Sequence, residues 1–277
     1  MKRLVIVFMA VLLAAVMGAA PAVQAQAAAQ PLPTGRPSFF VDVMGGVNIP
    51  IGPSLSSSFD GSFNSTPING TWTNTGNQGV SGRIGVNVGF WANENPANFW
   101  SHVGGAINFS YNTLGLQGMR GSFTQTLSTR YVIEGDIPET IITSTTTRGG
   151  IELSSSGHLY SLAFLFNLRQ GLLPDNQVPY GRLQFYGGLG PAIIINTQQF
   201  SISSSFYRSL PSQTKVSPGL MMQAGARYFF TKNVYACVSF DYRYFQSSFN
   251  LSAASFSTKV KYDSNLLGVN FGAGVQF

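Results

Sequence analysis

Charge is scarce in this sequence: Lys, Arg, Asp and Glu together make up 9% of it, where a soluble domain carries about a quarter. A chain so short of charge belongs beside hydrocarbon, yet beyond the first stretch, which ends near Ala20, no apolar run approaches the ~20 residues that a membrane helix requires. Crossing a bilayer by helices is thereby excluded for the rest of the chain. Cysteine is almost absent: Cys237 stands alone, so neither an intrachain disulfide framework nor a Cys-based zinc site can form, and Cys237 reads as a small buried strand residue. No basic block exists either. The Lys and Arg residues are scattered singly, which leaves nucleic-acid binding without support. The glycines of "GGLG" and "GAGVQF" precede no helix start and are not phosphate loops; within strands they permit bending and tight closure.

What is present begins with Lys2 and Arg3, followed by "LVIVFMAVLLAAVMGAA", Pro21 and a run of small residues. A positive start, an apolar centre and a small-residue exit describe a secretory signal peptide over 1–25, with cleavage after Ala25 or Ala27; the competing reading is an uncleaved anchor. The mature chain from 26 to 277 then reads as a single domain. Without Lys2 and Arg3 the 16 basic residues fall to 14 against 10 acidic ones, a net charge of about +4.

The mature chain alternates. In "LLGVNFGAGVQF" the residues Leu267, Val269, Phe271, Ala273, Val275 and Phe277 face one way, and Gly268, Asn270, Gly272, Gly274 and Gln276 the other. A period of two is the signature of a β-strand. The same pattern recurs in "SFFVDVMGGVN", "GVSGRIGVNVGFW", "FWSHVGGAINFSYN", "HLYSLAFLFNLR", "GRLQFYGGLGPAIII", "SPGLMMQAGARYFF" and "NVYACVSFDYRYF", which makes eight strands. Long polar segments near 50–78, 113–150, 196–216 and 246–262 alternate with short ones such as "ANENPAN" and "TK". Strict alternation of long and short connections is characteristic of an up-and-down membrane barrel, with short turns in the periplasm and long loops outside. The fold class is therefore all-β: an eight-stranded antiparallel up-and-down transmembrane β-barrel. Because "FTQTLSTRYVIEG" and "ETIITSTTTRG" also alternate, they form either a hairpin rising above the membrane or two further strands of a ten-stranded barrel. A soluble secreted sandwich is the rival without a membrane.

Aromatic residues gather at the predicted strand ends. Trp91, Trp100, Tyr180 and Phe230 fall at the short-turn rim, and Tyr111, Tyr160 and Tyr244 at the other, as two interfacial girdles require. The terminal alternation ending in Phe277, the "YGRLQFYGGLGPAI" strand and the "GARYFFTKNVYACVSFDYRYF" hairpin resemble the small outer-membrane β-barrel family that includes the outer-membrane protein A transmembrane domain and the opacity-type surface proteins. The resemblance spans nearly the whole mature chain and is one of pattern more than of fixed residues. It implies residence in the bacterial outer membrane, a monomer, and assembly by the barrel-assembly machinery, for which Phe277 would carry the signal. The resemblance does not extend to a periplasmic domain after the barrel, so tethering to the cell wall is not expected.

An eight-stranded barrel is just wide enough for its own side chains to fill it. Inward positions include Asp42, Arg83, His102, Arg182, Gln184, Arg227, Asp241 and Arg243. Buried charges must pair, so Asp42 is expected beside Arg182 and Arg227 near the periplasmic rim, and Asp241 with Arg83 and Arg243 above them. Catalysis has little to rest on. His102 faces inward while its neighbour Ser101 faces away, and His158, outward near Ser154, Ser155 and Ser156, lacks the geometry of a Ser-His-acid set. No cofactor or metal is expected. The cations Arg208, Lys215, Lys259 and Lys261 in the last two long loops are candidates for lipopolysaccharide phosphates. The reading is a non-enzymatic surface barrel with its loops outside, touching outer-membrane lipids and lipopolysaccharide; a narrow porin-like pathway for small solutes is the alternative, and lipid A modification the third.

Overall fold

The structure is a computed structural model. It describes residues 35–277 apart from 52–53, 64–65, 72–76, 132–139, 175, 179, 204–207 and 254–255, and side chains outside 52–78, 116–151, 202–209, 252–258 and 262. The signal peptide expected over 1–25 lies outside the described residues.

Segments that alternate and are rich in Val, Ile, Phe, Tyr and Thr favour the pleated chain, and nearly everything described is strand. In chain order these are β1 (Ser38–Pro50), β2 (Ser54–Phe63), β3 (Thr66–Thr71), β4 (Asn77–Gln78), β5 (Ser81–Trp91), β6 (Val103–Tyr131), β7 (Thr140–Leu172), β8 (Leu183–Ser203), β9 (Arg208–Ser209), β10 (Gln213–Phe229), β11 (Val234–Ala253) and β12 (Phe256–Gln276). All pairings are antiparallel, and they close. β1 pairs with β5 on one side, Val43 opposite Val86, and with β12 on the other, Val43 opposite Ala273. Eight staves, β1, β5, β6, β7, β8, β10, β11 and β12, form the ring, which removes the unpaired edges that hydrocarbon does not tolerate. Backbone bonds between Phe39 and Phe277, at 2.8 and 2.9 Å, carry the seam to its short-turn rim.

All four segments expected to be long loops are mostly strand. β6 and β7 stay paired from Val103 opposite Leu168 up to Tyr131 opposite Thr140, interrupted by shifts at Leu116/Met119 and Gly121/Ser122. β8, β10, β11 and β12 likewise run on through most of 196–216 and 246–262. The alternative of ten staves is thereby settled as a hairpin: β6 has 29 residues and β7 has 33, where a membrane crossing takes about 9–11. The segment 50–78 also contributes, since β2 pairs with β12 and β3 with β6, so a β2–β3 hairpin takes the place of β1 and β5 in the upper wall. Above the bilayer the outer face is polar, so these strands are rich in Ser, Thr and Asn, and that composition resembles a loop.

The polarity of the wall inverts along its length. At the short-turn half the outside is apolar: Ile84 is 65% exposed, Val43 62% and Phe271 65%, while Asp42, Asn87, Asp241 and Arg243 inside are wholly buried. In β6 the outward series Ile107, Phe109, Tyr111 gives way to exposed Thr113, and inward Asn108, Ser110, Asn112 give way to buried Leu114. In β11 outward Phe240 and Tyr244 are followed by exposed Gln246, Ser248 and Asn250, and inward Asp241 and Arg243 by Phe245, Phe249 and Leu251. The lower barrel is built inside out and the upper one like a soluble protein, with Phe200 and Phe249 in edge contact at 5.2 Å in its core.

Short turns finish the lower rim. Asn98 Oδ1 accepts from the Trp100 amide at 3.0 Å and starts a single 3-10 turn over Phe99–His102. Between β7 and β8 the chain reverses through Gly181 at φ 113°, where a Cβ would run into the Leu172 backbone, a conformation glycine alone adopts without strain.

Candidate functional site

The lumen is the candidate site, and it is filled in three layers above the short turns. In the lowest, Arg169 at the end of β7 lies against the rings of Trp91 and Tyr180, 4.5 and 3.9 Å from their centroids. Its Nε donates to Ser101 O at 2.8 Å, Nη2 to Asn93 O at 3.3 Å and Nη1 to Gln184 Oε1 at 3.5 Å. The Tyr180 hydroxyl donates to Arg169 O at 3.1 Å and lies 2.7 Å from His102 Nδ1. Burial pushes the Tyr180 phenol above its ordinary value, against the pull of the Arg169 guanidinium, so this donor keeps its proton at neutral pH.

The middle layer is an ion pair inside an aromatic cage. Arg227 Nη2 donates to Asp42 Oδ2 at 2.7 Å, Asn87 Nδ2 donates to the same oxygen at 3.1 Å, and the Tyr235 hydroxyl donates to Asp42 Oδ1. The Arg227 guanidinium lies 3.9 Å from the Phe40 ring, 4.7 Å from Tyr186, 5.1 Å from Tyr235 and 5.7 Å from Trp91. Cation–π contacts strengthen once water is excluded, so the four rings and one carboxylate hold this cation firmly.

In the upper layer one carboxylate serves two cations. Asp241 is paired with Arg83 and, at 3.1 Å, with Arg243 Nε, and it accepts from Asn270 Nδ2 at 2.6 Å. Arg243 goes on to Asn48, to Asn112 Oδ1 at 3.0 Å and to Ser110 Oγ at 3.4 Å. Bonds this many satisfy charges that would otherwise be ruinous to bury. The glycines of the last strand are what leave room. A Cβ on Gly268 would strike the Asp241 carboxylate and stand 2.9 Å from Arg83 Nη1, and on Gly274 it would stand 2.5 Å from Asp42 Oδ1 and 2.6 Å from the Tyr235 hydroxyl. Above this layer Phe245, Phe249, Leu159 and Leu114 are buried together in one apolar cluster inside the barrel.

Several expectations need correction. Arg182 is not part of the lumen network: half-buried at the rim, it donates to Phe230 O at 3.1 Å and to Gln177 Oε1 at 3.3 Å. The lumen arginine at this end is Arg169, the last residue of "HLYSLAFLFNLR" and one alternation step past Asn167, so its inward parity is legible in the sequence although it is missing from the expected inward set. Trp91 is not a girdle residue. It is 0% exposed, on the inward face of β5, stacked on Phe40 at 5.5 Å; one register step past Phe90 turns it into the bore. Tyr180 likewise folds under the barrel to meet Arg169 and His102. Trp100 at 58% and Phe230 at 59% exposure do stand outward at the lower rim. Tyr111 and Tyr160, opposite each other with ring centroids 5.2 Å apart, and half-buried Tyr244 stand outward at the upper edge of the apolar band. His158 Nδ1 is held 2.8 Å from the Tyr111 hydroxyl, while Ser155 turns inward to Gln198.

The proposed phosphate-binding cations do not form one patch. Lys259 and Lys261 share the outward, exposed face of β12 above the apolar band. Lys215 shares the parity of inward Ser217 and Met221, opposite buried Asn196, so it leans over the bore. The side chain of Arg208 lies outside those described. Phe277 is 65% exposed and packs on Phe39 at 6.4 Å.

An apolar outer band around a charged, hydrogen-bonded bore is stable only with hydrocarbon on the outside. This is a small membrane-spanning β-barrel. No protein family and no curated protein matches the chain. Solved structures that are similar to it are outer-membrane barrels: the outer-membrane protein OprG from Pseudomonas aeruginosa, 13% identical, covering 88% of this chain and 97% of that one at a TM-score of 0.46; a major outer membrane protein from Thermus thermophilus, 10% identical, covering 87% and 99% at 0.42; and Neisserial surface protein A, 12% identical, covering 86% and 97% at 0.35. These are similarities of architecture, at identities too low to transfer a role.

Proposed function

We propose that this chain is an integral outer-membrane barrel with a closed bore, a non-enzymatic scaffold that holds a rigid β-structure outside the cell. The observation that carries the reading is the filling of the bore: three arginine-centred layers topped by a buried apolar cluster leave the strands nothing to conduct, while β6 and β7 continue far beyond the length a crossing needs. Phe277 at the seam serves the assembly machinery, and Lys259 with Lys261, outward above the apolar band, meets lipopolysaccharide phosphates by charge-assisted bonding. Both histidines are engaged, His158 with Tyr111 and His102 with Tyr180 and a carbonyl, which supports a role without catalysis.

Recording from the purified protein in planar bilayers is the test. The expected result is no steady conductance; a stable pore-sized current would overturn the closed bore and favour the solute pathway. Native mass spectrometry of the Lys259→Gln, Lys261→Gln double variant is expected to show fewer lipopolysaccharide adducts, and unchanged adducts would remove those lysines from the account. Replacing His158 by Ala is expected to leave lipid A composition unaltered.

A further inference from the structure

A cavity of about 820 Å³ opens at the short-turn end of the barrel, a size typical of small-molecule sites. Arg169 and Gln184 reach it from above, Tyr180, Lys232 and Phe277 border it, and Glu94 is the one acidic residue among its described lining. Arg169 is unlike its fellows in the bore. Arg83, Arg227 and Arg243 each touch a carboxylate, whereas Arg169, 2% exposed, is bonded to two carbonyl oxygens and one amide oxygen. No carboxylate lies within ion-pair distance of it among the described residues. Of the five N–H groups of a guanidinium, these bonds use three.

A buried cation bonded only to neutral oxygens and ring faces has no carboxylate in direct contact; Glu94, across the cavity lining, offsets its charge from beyond ion-pair distance. The cavity is where a carboxylate can arrive, and its rim adds Lys232 on the exposed turn between β10 and β11. We propose that this cavity is a binding site for a small carboxylate with a flat apolar body, taken from the aqueous phase at the short-turn side. The carboxylate sits in the plane of the Arg169 guanidinium, whose fork matches two carboxylate oxygens. Tyr180 and Phe229 supply ring surface for the apolar body, and Lys232 draws the anion in. The closed bore above makes this a receptor pocket open to one side, independent of what the outer strands touch.

Fluorine NMR on the full chain folded in detergent micelles tests it, with 4-fluorobenzoate as probe and 4-fluorobenzamide as its uncharged counterpart, each also run in empty micelles. Saturable broadening of the benzoate signal, absent for the benzamide, is the expected result. Lys232→Glu, on an exposed turn, should weaken the benzoate by about tenfold, and Arg169→Gln by about tenfold or more, the size of a charge-assisted bond. Heat-modifiable migration reports whether Arg169→Gln has folded; if it has not, the wild type and Lys232→Glu decide the matter. Benzoate behaving as benzamide does in the wild type, or equal affinity in Lys232→Glu, would overturn the site.

Discussion

At the scale of residues, the bore is a set of charges that cannot be removed singly. Asp241 neutralises Arg83 and Arg243 together, so Asp241→Ala strands two buried cations. Breaking a buried pair costs roughly 3–5 kcal/mol, and urea unfolding from lipid vesicles should show a loss of at least that size. Gly268→Ala reaches the same network from the other side by pushing a methyl into the Asp241 carboxylate; overpacking of this kind costs about 1–3 kcal/mol. The same unfolding assay should rank it between the wild type and Asp241→Ala. An unchanged midpoint in Gly268→Ala would mean that the strand shifts freely and that the glycine is there for closure alone.

Elements explain why two tryptophans two turns of pattern apart behave differently. Trp91 ends β5 on its inward face and is sealed between Phe40 and the arginines, while Trp100 lies in the 3-10 turn and projects outward. In vesicles of brominated lipid, a variant keeping Trp100 alone should lose fluorescence, and one keeping Trp91 alone should not. Equal quenching of the two would contradict the placement of Trp91. The inversion along β11 is tested in the same way. A spin label at Phe240 should be relaxed by lipid-soluble oxygen and one at Asn250 by a water-soluble reagent, since Tyr244 and Gln246 mark the change from hydrocarbon to water. A label at Asn250 that behaves as the one at Phe240 does would move the membrane boundary up the strand.

For the molecule as a whole, the division of labour follows the solvent. Within the bilayer the outside must be greasy, so the polar groups go inside, where each of Asp42 and Asp241 is paired with arginine; above it water wets the outside, and the core becomes Leu and Phe again. A barrel of eight staves is narrow enough for both fillings to be complete. Hence the expected absence of steady conductance. Truncating the tip of the β6–β7 hairpin, at positions above the inversion, should leave heat-modifiable folding intact; a collapse of folding would show the upper strands to be part of the stability of the membrane-spanning ring.

Eight staves, their inward and outward faces, and most of the buried charges were legible in the amino-acid sequence, because a period of two under hydrocarbon forces greasy and polar residues onto opposite faces at every step. Asp42, Arg83, Arg227, Asp241 and Arg243 could be placed inside by parity alone. Parity tells nothing about where a strand stops, so the polar continuations of β6 to β12 read as loops, Arg169 and Trp91 at the very ends of their stretches were not counted as inward, and Arg182 was put in the bore although the turn at Gly181 carries it to the rim. Which carboxylate meets which guanidinium, and that Arg169 meets none among the described residues, depended on register between strands far apart in the chain, which only the closed barrel fixes.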